Sequence, residues 1–272
     1  MLRDGFVYFN ALKNKQLRWK NGIIPYEMDP AFSDYETKLL EQAFASYHKS
    51  TCIRFQKRNG EKDFLNIVKG VGCYSQVGRT GGKQEISLGR GCLFHEIIVH
   101  ELMHSVGFWH EHSRADRDEH INILWENILP GMASQFDKIS AALQDTQGEK
   151  YDYRSIMHYD STAFSRNGKN TIEPVEEGFT DVIGSANDLS QLDIVKINKL
   201  YQCPVVPKDT PKTTSVKSNG RTAGSAKESK LEFFFRRMSG PFCGLSALFT
   251  ILPTSILLLR NEELLSTHLW AL

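Results

Sequence analysis

Apolar residues recur at helical spacing in three segments of the chain. The first segment follows Ser33 and Glu36, which have the spacing of a capping box at a helix amino terminus. The second covers about residues 93–106, and Gly107 supplies its stop signal. The third begins after Ser190, a good N-cap residue. The pattern therefore predicts three amphipathic helices. Their inward faces are expected at Leu39, Leu40, Ala43, Phe44 and Tyr47, at Leu93, Ile97, Ile98, Leu102 and Val106, and at Leu192, Val195, Ile197 and Leu200.

Shorter runs of apolar and β-branched residues predict strands before the first helix and between the first and second helices. A turn at Asn21-Gly22 precedes the strand in IIPYEM, and the runs CIRFQKR, FLNIVKG and EISLG have the same character. The glycine-rich stretch GRTGGKQ separates the last two of these runs. Residues 19–203 therefore have the pattern of a globular α+β domain.

The composition is that of an ordinary folded protein, with 40% hydrophobic and 24% charged residues in 272. The 33 lysines and arginines nearly balance the 32 aspartates and glutamates, so no overall electric field favours nucleic acid as a partner. Partners are therefore to be sought at local sites.

The five cysteines, Cys52, Cys73, Cys92, Cys203 and Cys243, form no C-x-x-C pair of the kind that holds structural zinc. Four of them can form two long-range disulfides, and the alternative is buried free thiols. Disulfides imply an oxidising compartment. The amino-terminal residues contain no apolar run long enough for a signal peptide. We expect a secreted, extracellular protein whose signal peptide is not present in this chain.

The composition changes after residue 203. Residues 204–240 are rich in Lys, Ser, Thr and Pro and predict a flexible linker. Residues 241–259 carry no charge and are long enough to be considered as a membrane span. However, the positive-inside rule would place the basic linker in the cytoplasm, which conflicts with an oxidised, exported domain. We therefore do not expect residues 241–259 to be a membrane anchor, and the apolar tail, residues 241–272, receives no assigned role.

A histidine-rich motif, HELMHSVGFWHEHSR, begins at His100. Because residues four apart share one face of a helix, His100 and His104 present two imidazoles to one ion. Glu101 points partly aside, which suits a carboxylate that activates water without binding the metal. Gly107 permits a positive φ that ends the helix and turns the chain, so that His110 supplies a third nitrogen. Three imidazoles leave an open position, which is the mark of a catalytic metal site.

The alternative is a solvated helical face that carries histidines by chance. H-E-x-x-H alone would arise in a chain of this length with a probability of about 3%. The requirement for Gly107 and His110 lowers that probability to about 0.01%, which decides in favour of a metal site.

The segment HELMHSVGFWHEHSRADRD resembles the extended zinc motif of the astacin family, within the metzincin metalloproteases. Residues 155–159, SIMHY, resemble the Met-turn of that family, and WKNGIIPY resembles the start of its mature domain. The similarity covers about residues 10–203. It implies an α+β, metzincin-like fold with two lobes, a mixed sheet, an active-site helix and a cleft between the lobes. It also implies a zinc-dependent endopeptidase that acts on proteins or peptides.

The resemblance also implies roles for individual residues. His100, His104 and His110 would bind one zinc ion, and Glu101 would act as general base and acid. Tyr159 matches the tyrosine that stabilises the transition state, and Met157 matches the methionine beneath the metal. The implied roles, by type, are metal ligands His100, His104 and His110; catalytic residues Glu101 and Tyr159; structural residues Met157, Gly107 and Glu111.

Activation and disulfide pairing follow from the same resemblance. Glu111 matches a glutamate that contacts the amino terminus freed by prosegment removal, and residues 1–9 would be a remnant of that prosegment. The implied disulfides join Cys52 to Cys203 and Cys73 to Cys92, which leaves Cys243 without a partner.

Several polar residues near the motif receive no catalytic role. We expect His95, His112 and His158 to be packing or surface histidines. Glu96 departs from the family, which usually has a small residue one turn before His100. The alternative function is a non-catalytic, zinc-stabilised module that binds peptides, but Glu101 and Tyr159 argue against it.

Overall fold

A computed structural model of the chain describes residues 15–139 and 145–204. The expected prosegment remnant, the linker beyond Pro204, the apolar tail and Cys243 lie outside the described residues. None of the helices within the described ranges has the length and apolar character that a membrane span requires.

A five-stranded mixed sheet forms the first half of the domain; the apolar runs predict four of its strands, and the resemblance to the astacin family implies a mixed sheet. Its strand order is β2-β1-β3-β5-β4, in which β4 is antiparallel to β5 and the other neighbours are parallel. The strands are β1 (Ile23–Met28), β2 (Arg54–Lys57), β3 (Phe64–Val68), β4 (Cys73–Ser75) and β5 (Lys83–Leu88). The turn before β1 is present, with Asn21 and Gly22 both at positive φ. The sequence pattern did not predict β4, because three residues beside several glycines are too short to show alternation.

Three helices pack with this sheet: α1 (Asp34–Ser50), α2 (His95–Val106) and α3 (Gln191–Tyr201). Ser33 and Glu36 form the predicted capping box of α1. Ser190 and Asp193 form a second capping box at the start of α3. The side chains of Leu40, Ala43, Phe44 and Tyr47 are buried as expected.

The predicted inward face of α3 is partly wrong. Val195 is 38% exposed, whereas Asp193 and Lys196 are buried together with Ile197 and Leu200. These four residues have the i, i+3, i+4, i+7 spacing of one helix face. The error arises because a prediction from apolar spacing assigns charged residues to the solvent-facing side. Asp193 and Lys196 are instead buried, because both have polar partners in the interior.

The buried hydrophobic side chains form two clusters, which correspond to the two expected lobes. The first joins the sheet to the three helices and includes Met157. The second is rich in aromatic residues and includes Tyr159, together with side chains of the two-stranded sheet of β6 (Ile121–Ile123) and β7 (Ile172–Pro174). The chain therefore passes from one core to the other within the Met-turn segment.

Both implied disulfides are present. Cys52 is joined to Cys203 and Cys73 to Cys92, with Cα–Cα distances of 5.3 Å and 5.6 Å. The first bridge fixes a residue just beyond α3 to a residue just beyond α1, 151 positions earlier.

Candidate metal centre

Helix α2 brings two histidines of the motif to one place, and the turn after it brings the third. Gly107 caps the helix at φ 125°, a conformation that favours glycine, and its N–H donates to the carbonyl of His104 at 2.8 Å. The chain then reverses and presents His110. The ligand nitrogens of His100, His104 and His110 all lie within 4.8 Å of one another. The local sequence thus produces the three-histidine cluster that it predicts.

Backbone carbonyls orient two of the imidazoles. Nδ1 of His100 donates to the carbonyl of Ile156 at 2.8 Å, and Nδ1 of His104 donates to the carbonyl of Phe108 at 2.7 Å. A ring that donates from Nδ1 keeps the lone pair of Nε2 for a metal. Nε2 of His100 lies 3.1 Å from Nε2 of His110. These nitrogens therefore face a common point.

The surroundings of His100 favour a neutral imidazole. Burial lowers the pKa of His100, although the carbonyl of Ile156 opposes this shift by accepting a hydrogen bond. Neutral imidazole is the form that binds a metal ion. Three nitrogen ligands with no carboxylate among them match the donor set of zinc in hydrolytic sites. The residues present therefore fit a zinc ion.

Glu101 is 2% exposed and lies next to the first ligand in the sequence. Its Oε2 atom has no hydrogen-bond partner within the described residues. Burial raises the pKa of Glu101 to about 8. A buried carboxyl group with an open acceptor is costly unless a ligand or water completes it, so its position marks a site of chemistry.

Tyr159 lies against the third ligand, with its ring centroid 4.7 Å from that of His110. Burial, followed by the nearby charge of Glu101, raises the pKa of Tyr159 well above its ordinary value. The phenol therefore keeps its proton at neutral pH and carries an O–H group that can donate a hydrogen bond.

His112 is the neighbour of Tyr159 that the sequence did not identify. Its ring is fully buried and stacks on the tyrosine ring with a centroid distance of 3.8 Å. Nε2 of His112 donates to the carbonyl of Gln135 at 2.9 Å. Burial lowers the pKa of His112 to about 3, so the ring stays neutral. Of the two roles expected for His112, packing or surface, its burial supports packing, but no sequence signal pointed to Tyr159 as its partner.

Met157 is buried in the first core, as the Met-turn resemblance implies. Its carbonyl accepts from the backbone N–H of Glu111 at 2.9 Å, and its own N–H donates to Oγ of Ser155 at 3.1 Å. This segment is therefore tied to the residue that follows the third ligand.

Glu111 is almost completely buried, and cations surround it. Both of its carboxylate oxygens lie 2.8 Å from Nζ of Lys196, and Oε1 accepts from a guanidinium nitrogen of Arg114 at 3.0 Å. Oε1 also accepts from the N–H of Asp152 at 2.9 Å. Burial raises the pKa of Glu111, but Lys196 and Arg114 outweigh it and hold the pKa below its usual range. The expected contact with a freed amino terminus involves residues outside the described part of the chain.

His95, His158 and Glu96 lie outside the cluster. His158 is buried; its Nε2 lies 2.7 Å from the hydroxyl of Tyr151 and its Nδ1 donates to the carbonyl of Tyr159 at 2.7 Å. His95 is partly exposed and lies 3.5 Å from a carboxylate oxygen of Asp188. Glu96 is half-buried in the first turn of α2.

Comparison with known proteins identifies relatives of this arrangement. The model of the astacin peptidase family matches residues 11–202. The chain is 77% identical over 211 residues to zinc metalloproteinase nas-6 of Caenorhabditis elegans, a match that covers 78% of this chain and 61% of that protein. It is 46% identical over 231 residues to zinc metalloproteinase nas-13 of the same species, covering 82% of this chain and 51% of that protein.

Solved structures with the same fold include high choriolytic enzyme 1, a hatching enzyme zinc-protease of the medaka fish Oryzias latipes. It has a TM-score of 0.67 and 42% identity, and the match covers 72% of this chain and 100% of that one. Myroilysin, at 19% identity and a TM-score of 0.50, shares the fold alone. The chain spans about half to three-fifths of the length of the two curated relatives above. From the family model and the identity to nas-6, the chain belongs to the astacin family of peptidases.

Proposed function

We propose that this protein is a zinc-dependent endopeptidase that hydrolyses peptide bonds in proteins. The observation that carries the proposal is the convergence of three imidazoles beside a buried glutamate with an open acceptor oxygen. The names of the relatives, zinc metalloproteinase nas-6 and a hatching enzyme zinc-protease, support the same activity.

His100, His104 and His110 would hold the zinc ion through their clustered ring nitrogens, with two of the rings oriented by backbone carbonyls. When bound, zinc supplies a Lewis acid that polarises the substrate carbonyl and makes a water molecule more acidic. The hydrogen bonds to these carbonyls keep the two imidazoles fixed before substrate arrives.

Glu101 acts as the general base in the proposed reaction. Its carboxylate accepts a proton from the attacking water, and it then donates that proton to the amine that leaves when the peptide bond breaks. A nearby cation favours the ionised carboxylate over the neutral form that burial favours. The open Oε2 atom is the position available for the incoming proton.

Tyr159 donates a hydrogen bond from its phenol to the oxyanion that forms at the substrate carbonyl. The stacked ring of His112 limits the positions that the tyrosine ring can adopt. Met157 supports the site from the first core without a role in proton transfer.

The two disulfides support secretion into an oxidising compartment, because cytosolic thiols are kept reduced. The proposed organisation of the chain has four parts. They are a prosegment remnant at residues 1–9, the catalytic domain at 10–203, a linker at 204–240 and an apolar tail at 241–272. The alternative of a non-catalytic peptide-binding module has less support, since Glu101 and Tyr159 are both present beside the histidines.

The test is hydrolysis of an unfolded protein substrate by the full chain, with Glu101→Gln as the variant. We expect wild-type hydrolysis to stop with a zinc chelator and to return with added Zn²⁺. Glu101→Gln should lower the rate by about 10²- to 10⁴-fold, because an amide does not accept the proton. Glu96→Gln, the same change earlier on α2, is the matched control and should retain the rate. Hydrolysis by zinc-loaded Glu101→Gln at the wild-type rate would remove this residue as the base.

A further inference from the structure

One face of α3 carries two buried charged residues, Asp193 and Lys196, that both reach segments of the metal centre. They are three residues apart in a helix, so they lie side by side. Lys196 is 6% exposed. A buried ammonium group is costly unless a carboxylate compensates its charge, so a lysine at this position requires its partner.

Lys196 contacts the ligand segment through Glu111, the residue that follows the ligand His110. Its ammonium group lies 2.8 Å from both carboxylate oxygens, across 85 positions of sequence. Arg114 and the N–H of Asp152 bind Oε1, whereas Lys196 also binds Oε2. The ammonium group therefore determines where the second oxygen, and hence the plane of the carboxylate, is held.

Asp193 contacts the other segment, at the Met-turn. Its carboxylate accepts from Oγ of Ser155 at 2.7 Å and from the N–H of Ile156 at 2.9 Å. The carbonyl of Ile156 in turn accepts from Nδ1 of His100. Helix α3 is thus connected by buried, charged hydrogen bonds to the segments that adjoin both His100 and His110.

Two hydrogen bonds hold the turn that carries His110, and one of them is made by the backbone of Glu111. The N–H of Glu111 donates to the carbonyl of Met157 at 2.9 Å, and Oγ of Ser113 donates to the carbonyl of His110 at 2.7 Å. With its side chain fixed by Lys196 and its backbone fixed by Met157, Glu111 has little freedom to move. His110 is joined to it by one peptide bond.

We propose that Lys196 is a positioning residue of the metal centre, which fixes the direction of the His110 imidazole by holding the carboxylate of Glu111. This inference rests on the proposed zinc site, but it assigns a role to a residue of α3 that touches neither ligand nor substrate. Partners of this kind around a metal site tune its affinity by about 10- to 100-fold.

The test measures the affinity of the full chain for Zn²⁺ by competition with a chromogenic chelator, well below the unfolding temperature. Lys196→Met should bind Zn²⁺ about tenfold more weakly than wild type. Lys196→Arg should restore most of the affinity, because a guanidinium group also binds both carboxylate oxygens. Lys199→Met is the matched control: Lys199 lies on the same helix and pairs with Glu149 at the surface, so zinc affinity should not change.

A second readout separates positioning from general stability. With Co²⁺ in place of Zn²⁺, the visible ligand-field bands of Lys196→Met should differ from those of wild type, and those of Lys199→Met should not. If Lys196→Met does not fold, Lys196→Gln takes its place, since an amide donates a hydrogen bond without charge. It should bind Zn²⁺ at least about threefold more weakly, below the tenfold loss expected of the apolar variant.

A folded Lys196→Met or Lys196→Gln protein with wild-type zinc affinity and an unchanged Co²⁺ spectrum would overturn the positioning role. Failure of the proposed function gives a different pattern. In that case the wild-type protein itself would fail to bind Zn²⁺ or, with zinc bound, would fail to hydrolyse the unfolded substrate.

Discussion

Two buried glutamates, ten residues apart, have opposite surroundings. Glu101 and Glu111 are 2% and 4% exposed, so water solvates neither. Burial alone raises the pKa of Glu101 to about 8, and its Oε2 atom has no hydrogen-bond partner within the described residues. At Glu111 the charges of Lys196 and Arg114 reverse the effect of burial and lower the pKa.

The difference gives a criterion that distinguishes a reactive glutamate from a structural one in this site. A buried carboxylate that the protein has saturated with donors holds the structure together, whereas one left with an open oxygen is available to water and substrate. By this criterion Glu101 is the reactive glutamate and Glu111 the structural one, although both follow a histidine in the same motif.

Removal of the Cys52–Cys203 disulfide tests how helix α3 is held in place. This bridge fixes a residue just beyond α3, the helix whose Lys196 binds Glu111. We expect Cys52→Ser with Cys203→Ser to lower the free energy of unfolding by about 5 kcal/mol, on the loop-entropy model. The matched control is removal of Cys73–Cys92, which closes a loop of sequence separation 19 in place of 151. It should cost about 2 kcal/mol less, measured by urea unfolding. Equal losses would show that loop length does not govern the effect.

Glu111→Gln tests the saturated member of the pair. The change removes the carboxylate that compensates the buried Lys196 and leaves Arg114 paired with Asp116 alone, so the free energy of unfolding should fall by about 3 kcal/mol. Glu27→Gln breaks the exposed ion pair with Arg58 and should cost less than about 1 kcal/mol. A loss at Glu111 no larger than at Glu27 would contradict its structural role.

His112→Ala tests whether the stacked ring of His112 positions Tyr159 near Glu101. Without the stacked ring the tyrosine gains freedom, and kcat should fall about tenfold with a smaller change in KM. His112→Phe retains a ring of similar shape and should recover most of kcat. Steady-state kinetics on a short peptide substrate measure both. Equal kcat values for the wild-type and His112→Ala proteins would show that the stacking does not position Tyr159.

Glu101→Gln should have the smallest effect on stability, although it should abolish most activity. The wild-type carboxylate is already poorly accommodated in its buried position, so the metal-free variant should unfold within about 1 kcal/mol of wild type, or at higher urea concentration. If Glu101→Gln lowered the free energy of unfolding as much as Glu111→Gln, the carboxylate of Glu101 would also have to be stabilised by hydrogen bonds or charges.

Local sequence predicts the parts of the site that depend on short spacing. His100 and His104 lie four residues apart on one helix, and Gly107 makes the turn to His110, so fifteen residues contain the whole ligand set. The capping boxes of α1 and α3 and the turn before β1 were likewise determined by neighbouring residues. The resemblance to the astacin family supplied the pairing of the four cysteines, which spacing alone left open.

The pattern of apolar and polar residues did not predict polar contacts between residues far apart in the sequence. Nothing near Lys196 or Glu111 in the sequence indicates a partner 85 positions away. Because apolar periodicity treats charged residues as solvent-facing, it also misplaced Val195 on the buried face of α3. The stacking of His112 on Tyr159 was missed for a different reason, since only the folded chain brings these two rings together.

The most direct test of the central claim is the zinc content of the purified, oxidised full chain, measured by atomic absorption with a parallel chelator competition. The account predicts one zinc ion per chain in the wild-type protein, and a strong loss of affinity in His110→Ala because only two imidazoles remain. Substoichiometric zinc in folded wild-type protein, or a His110→Ala variant with unchanged affinity, would contradict a three-histidine metal centre.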